Sequence, residues 1–366
     1  MICESISAPI RSRPKRFMAG ILAISVSFAL LTPAIAAEMS LSQLQAAIKQ
    51  QGLSWVAGDT SVSGLSLEEK RRLCGFRPEK EKLPILPARI KAPLRTFPSA
   101  LDWRDNPTGV NWMTPVRNQG SCGSCVAFAV LGALEACENI HVFGAPRPSY
   151  DLSEQFLFSC GGGDCDDGWY FIGAGGAMDF LKTTGVTDEA CYPYCSSDGY
   201  DYPCNGSCTD WADRLVTISE YTVIGGGALP SDDALKACIE VQPVTCAMDV
   251  YLSLYNYKGG VYQHLDGESL VGGHGVVIVG WDDTTNPPCW LCKNSWGTGW
   301  GESGYFKIKR GDSNIGVSSV FINYDAAPSP PPPPPVRAVT PAGVSLLVAC
   351  FLAATLAVYL RKVVAR

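Results

Sequence analysis

Sixteen cysteines in a chain of 366 residues constrain this protein more than any other feature of its sequence. Such a content is typical of proteins that fold in an oxidising compartment, where thiols become cross-linked. Cys3, Cys74 and Cys350 lie outside the central part of the chain, which leaves thirteen cysteines between residues 98 and 325. If twelve of these form disulfides, one thiol stays free, as an enzyme that uses a thiol requires.

The N-terminus has the three parts of a secretory signal. Basic residues up to Arg16 precede an apolar run from Phe17 to Leu31, and the small residues that follow end at Ala37. This pattern predicts a signal peptide over residues 1–37, cleaved after Ala36 or Ala37. An uncleaved membrane anchor is the alternative, and the shortness of the apolar run argues against it.

A second apolar run, near the C-terminus, predicts a transmembrane helix. Residues 342–360 are nineteen positions without a charge, which is long enough to cross a bilayer. The basic residues in 361–366 predict a cytoplasmic tail, so the rest of the protein would follow the secretory route to the extracytoplasmic or lumenal side. Residues 326–341 contain six consecutive prolines and predict an extended stalk. A removable glycolipid-anchor signal is the alternative, which the basic end disfavours.

The central part of the chain predicts an α+β fold. Helical patterns fall in its first half, over 125–139, 153–158 and 174–182. Strand patterns fill the second half, over 214–224, 244–251, 275–281, 289–293, 304–309 and 318–324. Helices first and strands later are typical of an α+β arrangement, here with two lobes and a cleft between them.

A glycine- and serine-rich loop that starts at Gln119 leads into Cys125, where the first of these helices begins. A thiol at a helix N-terminus meets the positive end of the helix dipole and unpaired N–H groups, which favour its thiolate. Cys125 is therefore a candidate nucleophile. By itself, the spacing of Cys122 and Cys125 also fits a redox-active pair or half of a zinc site.

A thiol nucleophile needs a general base, and the chain has only three histidines, His141, His264 and His274. His274 follows Gly272 and Gly273, which leave room for a close approach of backbone or substrate. A strongly apolar strand comes directly after it. This position at the mouth of a buried strand indicates that His274 is the base.

Twenty residues after His274, the chain carries Lys-Asn-Ser-Trp-Gly, with Asn294 and Trp296. The amide of Asn294 can accept the second N–H of the histidine ring and hold the ring in the tautomer that faces sulfur. The indole of Trp296 can shield that hydrogen bond from water. The sequence therefore predicts that Asn294 orients His274 and that Trp296 covers the pair.

These motifs, in this order, resemble the papain family of cysteine peptidases. The resemblance rests on Cys-Gly-Ser-Cys ending at Cys125, on the positions of His274 and Asn294, and on Leu-Asp-Trp-Arg further upstream. It implies a papain-like two-lobed fold, with a helical left lobe, a β-barrel-like right lobe and the active site in the cleft between them. It also implies catalysis by Cys125, His274 and Asn294, with Gln119 as a donor to the oxyanion, and no cofactor or metal.

The same resemblance assigns roles to neighbouring residues. It pairs Cys122 with Cys165, and it names Cys204 as a partner for Cys160. The residues that it places at the substrate are Gly168, Gly272, Gly273, Trp296 and Ser318. Gly168 resembles the residue whose backbone pairs with an extended substrate. Ser318 stands at the floor of the S2 pocket, where an uncharged side chain favours an apolar P2 residue.

Within the family, the chain is most similar to the cathepsin B branch. The motifs that begin at Trp55 and Leu73 resemble its short propeptide, which makes residues 38–97 an inhibitory pro-segment and residues 98–325 the peptidase domain. Val126 replaces the family's tryptophan, and Asp167 replaces a glycine beside the non-primed subsites. The histidine-bearing occluding loop has no counterpart, which predicts an endopeptidase rather than an enzyme that removes C-terminal dipeptides.

The sequence thus predicts a cysteine endopeptidase that acts through a thioester and is made as an inactive proenzyme. Its expected partners are peptide or protein substrates, its own pro-segment and a membrane, the last through residues 342–360. The net charge of −6 and the lack of a basic stripe argue against nucleic acid. Two alternatives stay open: a non-catalytic surface binding protein on a papain fold, and a thiol–disulfide oxidoreductase using Cys122 and Cys125. A disulfide between Cys122 and Cys165 would exclude the second.

Overall fold

The computed structural model describes residues 39–78, 96–105 and 109–323. The predicted signal peptide (1–37), stalk (326–341), transmembrane helix (342–360) and tail (361–366) lie outside the described residues, so these remain predictions.

Most of the α-helices lie in the first half of the chain and most of the β-strands in the second. In the described ranges the α-helices are α1 (Leu41–Gln50), α2 (Leu67–Arg72), α3 (Cys125–Glu138), α4 (Glu154–Gly161), α5 (Ala177–Thr183) and α6 (Asp232–Ile239). The strands are β1 (Val56–Ala57), β2 (Ala100–Asp102), β3 (Glu220–Val223), β4 (Val244–Tyr251), β5 (Tyr257–Gly259), β6 (Val261–Tyr262), β7 (Leu270–Asp282), β8 (Cys289–Lys293), β9 (Tyr305–Lys309) and β10 (Val317–Asn323). A helical first half and a strand-rich second half confirm the predicted α+β fold.

Helix α3 forms the centre of the core. Every residue from Cys125 to Glu138 is buried, because the sequence is apolar on almost all faces and leaves no side for water. With the turn that extends it to Phe143, it is the one helix in the described ranges that is long and apolar enough to span a membrane, yet 78% of that stretch is buried inside the protein. Helix α3 is therefore a core helix, and it packs against β4 and β7.

One sheet carries most of the second half. Its strand order is β3-β10-β4-β7-β8-β9-β6, with β2 also paired to β7. All pairs are antiparallel except β6 with β9. Met248 on β4 faces His274 on β7, and Val277 on β7 faces Lys293 at the end of β8. This register brings His274 beside Asn294, the residue that follows β8.

The predicted strand boundaries hold best where a whole strand is buried. Strands β4 and β8 cover the predicted residues 244–251 and 289–293. The strand predicted over 214–224 is wrong in its first part, since β3 covers only the four residues that find partners on β10. Arg214 instead ends a short 3₁₀ turn.

Three disulfides cross-link the described residues: Cys122–Cys165, Cys160–Cys204 and Cys191–Cys208. The first two confirm the pairings that the resemblance implied. Because Cys122 is bonded to Cys165, it cannot form a redox pair with Cys125, and the oxidoreductase alternative is excluded. In the described ranges no group of three or more His, Cys, Asp or Glu side chains is placed to hold a metal ion.

Seven cysteines of the region 109–323 are unpaired, so the assumption that twelve of the thirteen pair is wrong. They are Cys125, Cys137, Cys195, Cys238, Cys246, Cys289 and Cys292. Most are buried and pack as small apolar side chains. Burial raises the pKa of Cys137 and Cys246 to about 12, which keeps these thiols neutral and inert. A count of free thiols therefore does not identify the nucleophile.

Residues 39–78, called here the N-terminal segment, pack along the sheet. Helices α1 and α2 each begin with a capping box, at Ser40 and Ser66, which satisfies their first N–H groups. Strand β1 pairs with β5, and the ring of Trp55 lies 5.1 Å from that of Tyr262. After α2 the segment continues without helix from Leu73 onward.

Candidate active site

Cys125 is the first residue of α3, and its side chain is fully buried. The backbone N–H of Gly275, on β7, donates a hydrogen bond to its Sγ atom at 3.3 Å. Burial raises the pKa of the thiol to about 11, although the N–H groups of Gly275 and Gly75 act in the opposite direction. With the N-terminal segment in place, Cys125 is thus a neutral thiol. The thiolate expected from the helix terminus is not favoured in this state, because desolvation outweighs the dipole.

His274 and Asn294 are in direct contact. Nε2 of His274 lies 2.7 Å from Oδ1 of Asn294, and the N–H of Ser295 donates to the same oxygen at 2.8 Å. An amide oxygen only accepts, so Nε2 carries the ring proton. Nδ1 is buried with no partner in hydrogen-bond geometry. The neighbour of His274, Gly275, contacts the Cys125 sulfur, so the fold brings together the three residues that the sequence predicted.

An aromatic cluster covers the histidine. The ring of Trp296 lies 4.9 Å from that of His274, and both are fully buried. Trp296 stacks on Tyr255 at 5.0 Å and meets Trp300 edge-on at 5.0 Å. The hydrogen bond between His274 and Asn294 is therefore kept from water, as predicted for Trp296.

Gln119 lies buried beside the nucleophile. Its Oε1 accepts from Ser295 Oγ at 2.7 Å, which fixes the direction of the amide. Its Nε2 donates to the carbonyl oxygens of Cys122 at 2.8 Å and of Leu73 at 3.3 Å. A carbonyl of the N-terminal segment thus occupies the donor that the sequence assigns to the oxyanion.

The N-terminal segment crosses the site as a paired peptide. The N–H of Trp169 donates to the Gly75 carbonyl, and the N–H of Arg77 to the Trp169 carbonyl, both at 2.7 Å. On the other side, the N–H of Phe76 donates to the Gly273 carbonyl at 3.1 Å. A peptide can therefore lie between the helical half and strand β7.

Glycines make this close approach possible. At Gly168 (φ 75°) an added Cβ would lie 2.0 Å from the Gly75 oxygen, so any side chain there would displace the segment. At Gly273 an added Cβ would lie 2.9 Å from the Phe76 oxygen, and at Gly272 it would meet Cys74. The pairing predicted for Gly168 is made here by its neighbour Trp169.

The remaining predicted residue, Ser318, is buried near the start of β10 with φ of 50°. Strand β4 separates β10 from β7, so Ser318 is one strand away from His274. Two contributors were not predicted: Ser295, which fixes Gln119, and Tyr255, which supports Trp296. Ser295 lies inside the Asn-Ser-Trp-Gly motif and could have been found there. Tyr255 lies 41 residues before Trp296, and no local pattern signals the stacking.

The buried side chain of His274 makes the stability of the full-length protein depend on pH. Burial lowers the pKa of His274 to about 4, although Asn294 and the Leu73 backbone act in the opposite direction. The unfolded ring takes up its proton near pH 6.5 and the folded ring only near 4. This group therefore makes the fold less stable as the pH falls between those values, and has no effect above them.

We expect His274 of the full-length protein to titrate near pH 4, and at a higher pH once the N-terminal segment is removed, since part of its cover is lost. NMR of the histidine rings measures this. Variants His141→Gln and His264→Gln assign the only other two signals. A His274 signal that titrates near pH 6.5 in the full-length protein would contradict the prediction.

Comparison with known proteins finds similar sequences and similar structures. A gut-specific cysteine proteinase of Caenorhabditis elegans is 32% identical over 249 residues, which are 63% of this chain and 74% of the relative. Procathepsin B S9 of Trypanosoma congolense has the same fold, with a TM-score of 0.66 at 24% identity over 79% of this chain and 100% of that one. Procathepsin L2 of the Tenebrio molitor larval midgut gives a TM-score of 0.59 at 27% identity, over 76% and 87%.

The family model for papain family cysteine proteases matches residues 97–323, which is more than half of the chain. Together with the shared fold, this confirms the papain-like two-lobed architecture. The chain belongs to the papain family of cysteine proteases.

Proposed function

We propose that this protein is a cysteine endopeptidase that is made as an inactive proenzyme and hydrolyses peptide bonds through a thioester. The proposal is carried by one constellation. Asn294 holds His274 at 2.7 Å, and the N–H next to His274 binds the Cys125 sulfur at 3.3 Å. Residues 73–77 of the same chain cover this point, as expected of a proenzyme.

The first half of the reaction forms the thioester. The Cys125 proton passes to Nδ1 of His274, and the thiolate attacks the carbonyl carbon of the scissile bond. A C–S bond forms while the C=O π electrons move to oxygen. When they return, the C–N bond breaks and His274 donates its proton to the leaving amine.

The second half removes the acyl group. A water molecule attacks the thioester carbon while His274 accepts one of its protons. The C–S bond then breaks, the sulfur recovers a proton, and the peptide leaves as a carboxylic acid. No cofactor enters this cycle, because the protein supplies both the nucleophile and the base.

The side-chain amide of Gln119 and the backbone N–H of Cys125 stabilise the oxyanion. The Gln119 Nε2 atom donates to the Leu73 carbonyl at 3.3 Å, so it is aimed at a carbonyl lying over the site. Donors fixed in this way lower the barrier when negative charge develops on the substrate oxygen. Asn294 keeps the His274 tautomer, and Trp296 excludes water from their hydrogen bond.

We propose further that residues 38–97 are the inhibitory pro-segment, since Leu73 occupies the oxyanion donor and Gly75 lies at the sulfur. Gly168, Gly272, Gly273, Trp296 and Ser318 would line the substrate site after its removal. The signal peptide, the stalk and the transmembrane helix complete the proposal and place the peptidase domain on the extracytoplasmic or lumenal side of a membrane.

The test uses processed protein, prepared from the full-length chain by limited proteolytic removal of the N-terminal segment. We expect it to cleave peptides blocked at both ends, as an endopeptidase does. Reporters with Leu-Arg should be cleaved faster than those with Arg-Arg, because the predicted floor of the S2 pocket, Ser318, is uncharged. If the processed protein only removes dipeptides from free C-termini, the endopeptidase proposal is refuted. If it prefers the Arg-Arg reporter, the proposed apolar preference at P2 is refuted.

A further inference from the structure

The carboxylate of Asp167, at the edge of the cleft, binds a basic side chain of the N-terminal segment. Arg77 Nη2 lies 3.0 Å from Asp167 Oδ2, and Arg77 Nε donates a short hydrogen bond to the Asp167 carbonyl oxygen. In the part of the chain that the structure describes, Arg77 is the only ion-pair partner of Asp167. Removal of the N-terminal segment therefore leaves this carboxylate open.

Arg77 reaches Asp167 because its backbone is held in the cleft. Trp169 binds the carbonyl of Gly75 and accepts from the N–H of Arg77, each at 2.7 Å. Between them, the ring of Phe76 packs 5.3 Å from that of Phe171. Three consecutive residues thus fill three consecutive sites: Gly75 at the Cys125 sulfur, Phe76 at an aromatic wall, and Arg77 at Asp167.

A substrate would meet the same three sites. The family resemblance places Gly168 on the non-primed side, so P1, P2 and P3 side chains extend from Cys125 past this residue. The P2 residue would take the site of Phe76, in agreement with an apolar preference. The P3 residue would take the site of Arg77, beside the Asp167 carboxylate.

The turn that carries Asp167 is held by a different carboxylate, that of Asp164. The backbone N–H groups of Asp166 and Asp167 both donate to Oδ1 of Asp164, at 3.0 and 2.7 Å. The carboxylate of Asp166 points to a different partner, Arg72 Nε, at 3.3 Å. The side chains of Asp166 and Asp167 therefore differ in the arginine that each one contacts, while the backbone of both is held by Asp164.

We infer that Asp167 is a specificity-determining residue, which selects Arg or Lys at P3 next to an apolar P2 residue. This inference rests on the proposed endopeptidase function and adds a substrate class to it. Asp167 is 78% exposed, so the ion pair is a surface pair. Such pairs change binding about two- to fivefold and weaken with salt.

The experiment compares three reporter peptides that differ only at P3, with Arg, Gln or Glu, and share Leu at P2 and Arg at P1. With processed wild-type protein, kcat/KM should fall in the order Arg, Gln, Glu, with about a tenfold total range at low salt. In Asp167→Asn this range should shrink to about twofold or less. In the matched control Asp166→Asn, which loses the same charge one residue away, the range should persist.

A second measurement needs no catalysis. In the full-length protein, Arg77→Gln and Asp167→Asn should each speed the alkylation of Cys125 by iodoacetamide, followed by mass spectrometry of its peptide, about two- to fivefold. Because both remove the same contact, the double variant should be no faster than the faster single variant.

The two measurements separate the inference from the function on which it rests. Equal cleavage of the Arg and Glu peptides, or equal loss of preference in both Asp variants, would overturn the inference while hydrolysis upholds the function. If no peptide is cleaved at all, the proposed function fails. The alkylation rates then decide alone: multiplicative effects of the two substitutions would overturn the Asp167–Arg77 site, and non-multiplicative effects would support it.

Discussion

Replacement of Cys125 by alanine is expected to reduce peptide hydrolysis by the processed protein by about 10⁴-fold or more, since no thioester can form. The fold should persist, because alanine fits the buried position and removes only one sulfur from the start of α3. Hydrolysis of an end-blocked reporter gives the rate. Covalent labelling by the epoxide inhibitor E-64 gives a second readout, and the Cys125→Ala variant should not be labelled.

The matched control for this variant is Cys137→Ala. Cys137 lies on the same helix, is also unpaired and buried, and has its pKa raised to about 12. Its loss should leave hydrolysis and labelling near the wild-type level, apart from a modest cost in stability. E-64 labelling that survives in Cys125→Ala would disprove the assignment of the nucleophile. A wild-type protein that neither hydrolyses nor labels would instead favour the surface binding protein.

Substitution of Gly75 by alanine is expected to open the proenzyme. An added Cβ would lie 1.9 Å from the Gly123 carbonyl oxygen, which is backbone and cannot turn away. Overpacking of this kind costs about 1–3 kcal/mol, so the N-terminal segment should leave the cleft about 5 to 150 times more often. The alkylation rate of Cys125 by iodoacetamide in the full-length protein measures this opening.

The control for this substitution is Gly64→Ala, in the same segment. A Cβ at Gly64 meets no atom within 4 Å. Both variants share the effect of alanine on the unfolded chain, so their difference reports the clash alone. An alkylation rate in Gly75→Ala equal to that in Gly64→Ala would mean that the segment does not lie against Gly123 in solution.

The sequence was most informative where chemistry and local pattern coincide. Cys125, His274 and Asn294 each sit in a short motif that also sets the local backbone, so their convergence could be predicted. Helix α3 and strands β4 and β8 are all rich in buried apolar residues, and their lengths, 14 residues against 8 and 5, are what separate the helix from the strands.

Properties that depend on distant contacts could not be predicted. A cysteine in a disulfide and a buried free one, such as Cys246, look alike in sequence, because only the fold decides whether a second sulfur is near. Whether Gly168 or Trp169 pairs with the peptide depends on the register of the pairing, and a shift of one residue changes the answer. The raised pKa of Cys125 comes from the burial of its side chain in the folded protein, and no local motif encodes that burial.

The three disulfides all lie between residues 122 and 208, and in the described ranges none reaches the strands from β4 to β10. The two lobes are thus stabilised differently. The helical lobe is cross-linked by disulfides, and the lobe that contains β4 to β10 is stabilised by its sheet and its packing. A reductant would therefore remove cross-links from the helical side of the cleft and would leave the covalent structure of the side that carries His274 unchanged. In the described ranges no disulfide joins this helical part to strands β4 to β10, so reduction would leave the packing between them as the contact that keeps the cleft in shape.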